Sequence, residues 1–333
     1  MIFQVKKRGS LSALSLRRSG QVCLTLLLLF FSFALNAKIP AQEAAQQSAE
    51  VKISFDTGFD PLVPAKRSAS GEILVQPMIN DQEAGWFRLD PAVQGMRISA
   101  AAAQSFGLTR SGTARLITSS NKTEERPLWS GARFQLGPLL AEGLEFAEMS
   151  EPALPAEDEP VAGVVGTAVF QAAVVELELD NDEVRLFDPA AYEGEQADWL
   201  EFGQQGGLPT FNCRFEGDQE AKFGLDLGSP LGIMFFSQAV LSMELLKDRP
   251  SQPVKVSGAT FSQASAQKGG LQWFEASGLR IETPQAVFFT ESIGLPAEKD
   301  LAGLLGREIL KGCLLVLDFA QSRLSLQKKS EGS

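Results

Sequence analysis

The run Phe223-Gly224-Leu225-Asp226-Leu227-Gly228-Ser229-Pro230-Leu231-Gly232-Ile233-Met234 constrains the fold more than any other stretch. Apolar residues deliver one carboxylate into a glycine-bearing turn, and a second apolar segment leaves it. An idle charge at the end of an apolar strand is expensive to bury, so the aspartate calls for a task or a partner. A weaker copy lies at Trp86-Phe87-Arg88-Leu89-Asp90-Pro91-Ala92-Val93-Gln94-Gly95-Met96-Arg97-Ile98. Further landmarks recur behind both copies in the same order. Gly137-Pro138-Leu139-Leu140 corresponds to Gly278-Leu279-Arg280-Ile281, and Val164-Val165-Gly166 to Leu304-Leu305-Gly306. Leu179-Asp180 followed by Arg185-Leu186 corresponds to Leu317-Asp318 followed by Arg323-Leu324. From Asp90 to Gly166 is 76 residues, and from Asp226 to Gly306 is 80. Landmarks in one order at matched spacing imply an internal duplication of all-β units.

Local patterns fill in each unit. Val51–Phe55 alternates apolar and polar residues with period two and reads as a strand. Residues 71–80 read as another strand, which the turn 80–85 folds back into Trp86–Asp90. Ser99 to Gly107 reads as a short helix with Ser99 as N-cap and Gly107 at its end. Strands are expected at 114–118, 131–136, 143–149, 174–180 and 183–187. In the second half, 208–215 and 221–226 form the hairpin that delivers Asp226. Trp86, Phe87, Phe223, Phe235 and Phe236 are assigned to the core, and Asp180 and Asp318 to solvated or capping positions before turns.

The ends have a different composition. Residues 1–37 carry Lys6, Lys7, Arg8, Arg17 and Arg18 and no acid, then an apolar run from Val22 to Phe31 and a small residue at Ala37. This is the pattern of a secretory signal peptide, and an uncleaved N-terminal membrane anchor is the alternative. The domain reading is therefore 1–37 signal peptide, 38–50 flexible lead-in, 51–187 first half, 188–198 linker, 199–327 second half and 328–333 tail. Export places the chain in the periplasm or outside the cell, with no membrane span after cleavage.

Charge and residue counts exclude several classes of function. Loss of the five N-terminal cations takes the formal charge from −11 to −16, which repels nucleic acid and anionic lipid. The chain has no histidine, which removes histidine-assisted serine and cysteine hydrolases and histidine-bound zinc. Cleavage would leave Cys213 and Cys313, too few for a thiolate zinc site; they form either a disulfide or two separate buried thiols. No metal and no cofactor are expected. Carboxylates are the leading acid–base groups.

At these residues the sequence resembles the retropepsin-like and pepsin-like aspartic proteases. Each half of that family has an apolar strand, Asp-Thr/Ser-Gly, another strand, and later two apolar residues and a glycine beside the aspartate loop. The resemblance spans residues 51–187 and 199–327. It implies a bilobal double β-barrel with short helices, one aspartate from each lobe, and a peptide or unfolded-protein substrate in the cleft of a monomer. Asp90 and Asp226 would be the catalytic pair. Pro91, Ala92, Leu227, Gly228 and Ser229 would support them in the loops, backed by Val165, Gly166, Leu305 and Gly306. Two carboxylates about 3 Å apart share one proton, so one can act as base on a water while the other polarises the scissile carbonyl.

Departures from the family pattern fall in the loops themselves. Leu227 stands where the family has a hydroxyl residue. Pro91 lacks both hydroxyl and N–H, and Ala92 takes the place of a glycine. Two functions remain open: an exported aspartic endopeptidase, or a catalytically inactive member of the fold acting as a peptide-binding or scaffold module in the cell envelope. Two unrelated β-domains with fortuitous aspartates are a third reading. The one literal family tripeptide, Asp56-Thr57-Gly58, has no following apolar strand and aligns near Phe202-Gly203-Gln204, so it is read as an ordinary turn. The stretch from Ser119 to Trp129 lies where the family carries its substrate-covering hairpin, and a plain surface hairpin is the other reading.

Overall fold

Strand pairing around each aspartate explains the architecture. The computed structural model describes residues 51–117, 123–149, 160–194, 198–205, 208–258, 261–292 and 300–329. Among these the chain is mostly β-strand with a few short helices, arranged as three sheets.

In the first half, Phe87–Leu89 runs parallel to Gly163–Val165, which pairs on its other side antiparallel to Met96–Ile98. Met96–Ile98 then pairs in parallel with the end of Leu139–Glu148. The second half repeats this pattern. Gln219–Leu225 is parallel to Gly303–Leu305, Gly303–Leu305 is antiparallel to Ile233–Phe235, and Ile233–Phe235 is parallel to Gln285–Phe289. Period-two alternation drives the burial: Phe87 and Leu89 are buried on one face and Arg88 lies on the other, as Phe223 and Leu225 are buried around Gly224. Phe87, Phe223 and Phe235 are core as expected, whereas Trp86 and Phe236 are only partly buried.

The third sheet draws on both halves. Its order is Leu200–Glu201, Arg323–Lys328, Cys313–Asp318, Val174–Glu178, Glu183–Phe187, Leu62–Val63. The two central strands pair antiparallel, with Val175 opposite Leu317 and Leu177 opposite Leu315. Leu62 sits opposite Arg185 and Glu201 opposite Arg323, so the sheet reads alike from either end. One hydrophobic core runs through both halves, and in the second half it holds Phe215, Phe223, Phe235, Phe274 and Phe288 in mutual ring contact.

Some local expectations change. The expected strand at 71–80 is two short ones, Ile73–Val75 and Met78–Ile79, and the second turns at once into Gln82–Glu83 through Asn80 and Asp81, both at positive φ. That is the two-residue hairpin geometry Asn and Asp tolerate. The pieces at 114–118 and 131–136 belong to a single long hairpin, Thr109–Ile117 with Thr123–Leu136. Residues 118–122 at its end lie outside the described residues, so most of the Ser119–Trp129 reading can be followed only from Thr123 onward. Its second-half counterpart is Ser251–Gly258 with Phe261–Gly270. The helix Ala100–Ser105 has the expected cap, with the Ala102 N–H donating to Ser99 Oγ.

Two other assignments are corrected or decided. Of the two readings for Asp318, solvated or capping, the capping one is realised: it is 1 % exposed, and its carboxylate accepts the Gln321 N–H of the turn at 3.0 Å as well as Arg323 Nε at 2.9 Å. Asp180 is exposed and accepts the Gly312 N–H. Cys213 and Cys313 are free, buried thiols on strands of different sheets, so the disulfide alternative is not the one realised. Among the described residues no helix is long and apolar enough to cross a membrane. The reading of residues 1–37 and 38–50 lies outside the described residues.

Candidate active site

Each aspartate ends its strand in the same hydrogen-bonded frame. The Asp90 N–H donates to Val165 O at 3.0 Å, and the Asp226 N–H to Leu305 O at 2.9 Å. Past the turn, Thr167 N–H reaches Val93 O at 2.8 Å, and Arg307 N–H reaches Ser229 O at 2.9 Å. The strand that follows is fixed by Ser99 N–H to Ala162 O in one half and Phe236 N–H to Ala302 O in the other, both 2.8 Å. Matched backbone bonds at matched positions put the two carboxylates in equivalent places without reference to their side chains.

The glycines behind the loops are required by close approach. A Cβ on Gly166 would lie 2.2 Å from the carbonyl oxygens of Val93 and Gly95, and one on Gly306 2.2 Å from Leu231 O. Three residues earlier, a Cβ on Gly163 would lie 2.3 Å from Arg97 O and one on Gly303 1.8 Å from Met234 O. The sequence reading found Gly166 and Gly306 and missed Gly163 and Gly303. The signal was present: Ala162-Gly163-Val164-Val165-Gly166 and Ala302-Gly303-Leu304-Leu305-Gly306 are one five-residue pattern written twice.

Inside each loop the carboxylate holds its own turn. Asp90 Oδ1 accepts the Ala92 N–H at 2.9 Å, and Asp226 Oδ1 accepts the Gly228 N–H at 3.0 Å. Ala92 is not strained by replacing glycine, because neither it nor Gly228 has a positive φ. Asp56 makes the same bond to the Gly58 N–H at 2.9 Å, but on the exposed surface. The turn chemistry is therefore common to all three, and only the strands on either side separate the decoy from the pair. The pairing that makes Leu62 the counterpart of Glu201 also shifts Asp56 away from Phe202-Gly203-Gln204, the match the sequence suggested.

Asp90 and Asp226 lie near enough for the charge of one to act on the other. Asp226 titrates at about 6, raised first by burial and then by the charge of Asp90; the Gly228 and Ser229 N–H groups and Arg307 pull the other way. Asp90 is 8 % exposed, with Arg88 Nε 3.7 Å from its Oδ2. Arg88 also bonds Glu72 at 3.3 Å, yet its Nε lacks a hydrogen-bond partner. The counterparts in the second half are uncharged: Gly224 for Arg88 and Met234 for Arg97. Pro91 and Leu227, at the positions of the family hydroxyls, are both buried, so no hydroxyl joins the loops there. Ser229 Oγ lies 3.3 Å from the Leu231 N and so serves its own loop.

A cation that sequence reasoning missed sits behind Asp226. Arg307 is 6 % exposed and donates from Nη1 to Leu227 O at 2.9 Å and Gly228 O at 3.3 Å, and from Nη2 to Ser70 O at 2.8 Å. Cavities of about 410 and 550 Å³ lie elsewhere, around Tyr192 and Trp199 and between Asp198 and Glu275, and neither is lined by either aspartate.

Two curled half-barrel sheets, each presenting an aspartate loop backed by an apolar-apolar-glycine strand, are the bilobal fold of the pepsin-like aspartic proteinases. Among solved structures, the chain is similar to the aspartic proteinase from Irpex lacteus, with 11% identity, a TM-score of 0.51, and 84% of this chain and 98% of that chain covered. It is similar also to the basic 7S globulin from soybean, with 11% identity, a TM-score of 0.50, and 83% and 96% covered. Likeness at such identity carries the fold alone, and the two neighbours, one a proteinase and one a globulin, do not select an activity. No family model and no curated protein matches the chain.

Proposed function

We propose that the chain is an exported aspartic endopeptidase that hydrolyses peptide bonds in unfolded proteins, with Asp90 and Asp226 activating a water between them. The observation that carries this reading is the coupling of two carboxylates at equivalent strand ends, Asp90 buried and Asp226 half-buried, with Asp226 raised to about 6 by desolvation and by Asp90. A pair that keeps one proton can supply base and acid together: one carboxylate takes a proton from water, and the other donates to the carbonyl oxygen. The pair titrates as a unit, so neither role is assigned to one residue. Export rests on the composition of residues 1–37, and its test is N-terminal sequencing of the protein recovered from outside the cytoplasm.

The test of activity is cleavage of a denatured protein between about pH 3 and pH 6, the range in which such pairs hold a shared proton. Asp90→Asn and Asp226→Asn should each abolish cleavage, and activity surviving either change would sink the mechanism. The buried apolar side chains of Pro91 and Leu227 favour the second reading, a peptide-binding module without catalysis. Saturable binding of unfolded peptides with no cleavage at any acidic pH would establish that reading instead.

A further inference from the structure

With Pro91 and Leu227 apolar, the side chains flanking the aspartates offer no polar anchor for either loop. Arg307 supplies one from behind. The peptide unit between Leu227 and Gly228 has two polar ends: its C=O accepts Arg307 Nη1 at 2.9 Å, and its N–H donates to Asp226 Oδ1 at 3.0 Å. A donor on the carbonyl polarises the same peptide's N–H and strengthens its bond to the carboxylate. The other arm of the guanidinium crosses to the first half and bonds Ser70 O, 237 residues away in sequence, in the turn between Ala65–Arg67 and Ile73–Val75. A Cβ on the adjacent Gly71 would lie 3.1 Å from Nη2, so the turn is fitted closely to the arginine. Glu72 in the same turn supports the cation electrostatically and bonds Arg88, which lies beside Asp90. The first half does this differently: Thr167, the counterpart of Arg307, accepts the Gly95 N–H through Oγ1 at 2.8 Å and stays within its own half.

We infer that Arg307 is a positioning residue that locks the Leu227–Gly228 peptide onto Asp226 and ties that loop to the Ser68–Glu72 turn of the other half. The inference deepens the paired-aspartate reading and rests on it only for its kinetic consequence. A planar five-donor fork suits this position, since one ammonium cannot span carbonyls on both sides.

The test compares the full chain with Arg307→Met and Arg307→Lys. Amide exchange at Gly228 and Ala92 and the titration of the Asp226 carboxyl are followed by NMR, and cleavage of a denatured protein is measured beside them. In both variants the Gly228 amide should exchange faster by on the order of tenfold, the worth of one lost charge-assisted hydrogen bond, while the Ala92 amide of the opposite loop keeps its rate. The Asp226 midpoint should rise in the methionine variant and stay near the parent's in the lysine variant, which keeps the charge. Where the protein cleaves, kcat should fall by about 10²-fold with KM little changed, as for a displaced catalytic group. Unchanged exchange at Gly228, or equal acceleration at Gly228 and Ala92, overturns the inference. If the methionine variant does not fold, the lysine variant decides by the same exchange criterion. A parent that cleaves nothing refutes the endopeptidase reading alone, because exchange and titration need no turnover.

Discussion

Removing the charge at Asp226 should make the protein more stable at neutral pH, which is the reverse of what a structural carboxylate would do. Burial and the Asp90 charge raise Asp226 to about 6 from the ordinary aspartate value of 3.8. An acid whose folded value lies above its unfolded one binds its proton more tightly when folded. Its contribution is therefore fully present below pH ~4 and is lost as pH climbs through ~6. Two units at about 1.4 kcal/mol each put the loss at no more than about 3 kcal/mol. Asp226→Asn keeps an oxygen to accept the Gly228 N–H and cannot ionise, so it should escape that loss. Thermal unfolding followed by circular dichroism between pH 4 and pH 7.5 measures it. Parent and variant should agree near pH 4 and separate by several degrees at pH 7.5, since each kcal/mol moves the midpoint of a chain this size by about 2 °C. Parallel curves across the whole range would mean that Asp226 is not held protonated by its surroundings, and the electrostatic basis for a shared proton would go with it.

Three further perturbations test the frame and the decoy. Gly303→Ala places a Cβ 1.8 Å from Met234 O and should cost about 3 kcal/mol in denaturant unfolding, whereas Gly228→Ala, whose counterpart is already Ala92, should cost no more than about 1 kcal/mol. Asp318→Asn strips the buried partner from Arg323 and should lower stability by about 3 kcal/mol in the same assay; a loss below about 1 kcal/mol would show the pair to be solvated. Asp56→Asn should leave both cleavage and stability within about 0.5 kcal/mol of the parent, and a loss of activity would move the site to the exposed turn.

Strand-and-turn chemistry around Asp226 and Asp90 was legible because it is local: an apolar strand, a carboxylate that folds its own turn, and an apolar exit. The doubled glycine strand was legible for the same reason, since close backbone approach leaves a mark in sequence at fixed spacing. Features set by distant contacts were not. Arg307 follows the matched Leu304-Leu305-Gly306 and reads as the first residue of a helical turn. Its partners are 79, 80 and 237 residues away, and nothing near position 307 announces them. Asp318 reads as a turn acid, and it does accept the Gln321 N–H, but its bond to Arg323 follows from the register of the two strands that places them opposite each other. The long hairpin shows only in pieces in the sequence because register shifts near Trp129 and Ala132 break its alternation. Its counterpart, Ser251–Gly258 with Phe261–Gly270, is faint in the sequence because its period-two alternation rests on a few small or single apolar residues, Val254 and Val256, then Ala264 and Ala266, set between polar ones.

Backbone and side chains divide the work at this site. Main-chain bonds repeat from one half to the other to within 0.1 Å at the aspartate, the exit turn and the following strand. Symmetry of that kind would give two carboxylates identical surroundings and leave the proton shared evenly. Side chains break it. Arg88 stands near Asp90 where Gly224 stands near Asp226, and Arg307 backs the Asp226 loop where Thr167 backs the other. Burial acts on Asp226, no cation among the described residues bonds its oxygens, and Arg307 bonds the Leu227–Gly228 peptide beside it. The backbone therefore gives the two acids equivalent places, while the side chains around them differ, Arg88 beside Asp90 and Arg307 behind the Asp226 loop. A carboxyl NMR titration in which Asp226 keeps the midpoint of an ordinary exposed aspartate would contradict this division.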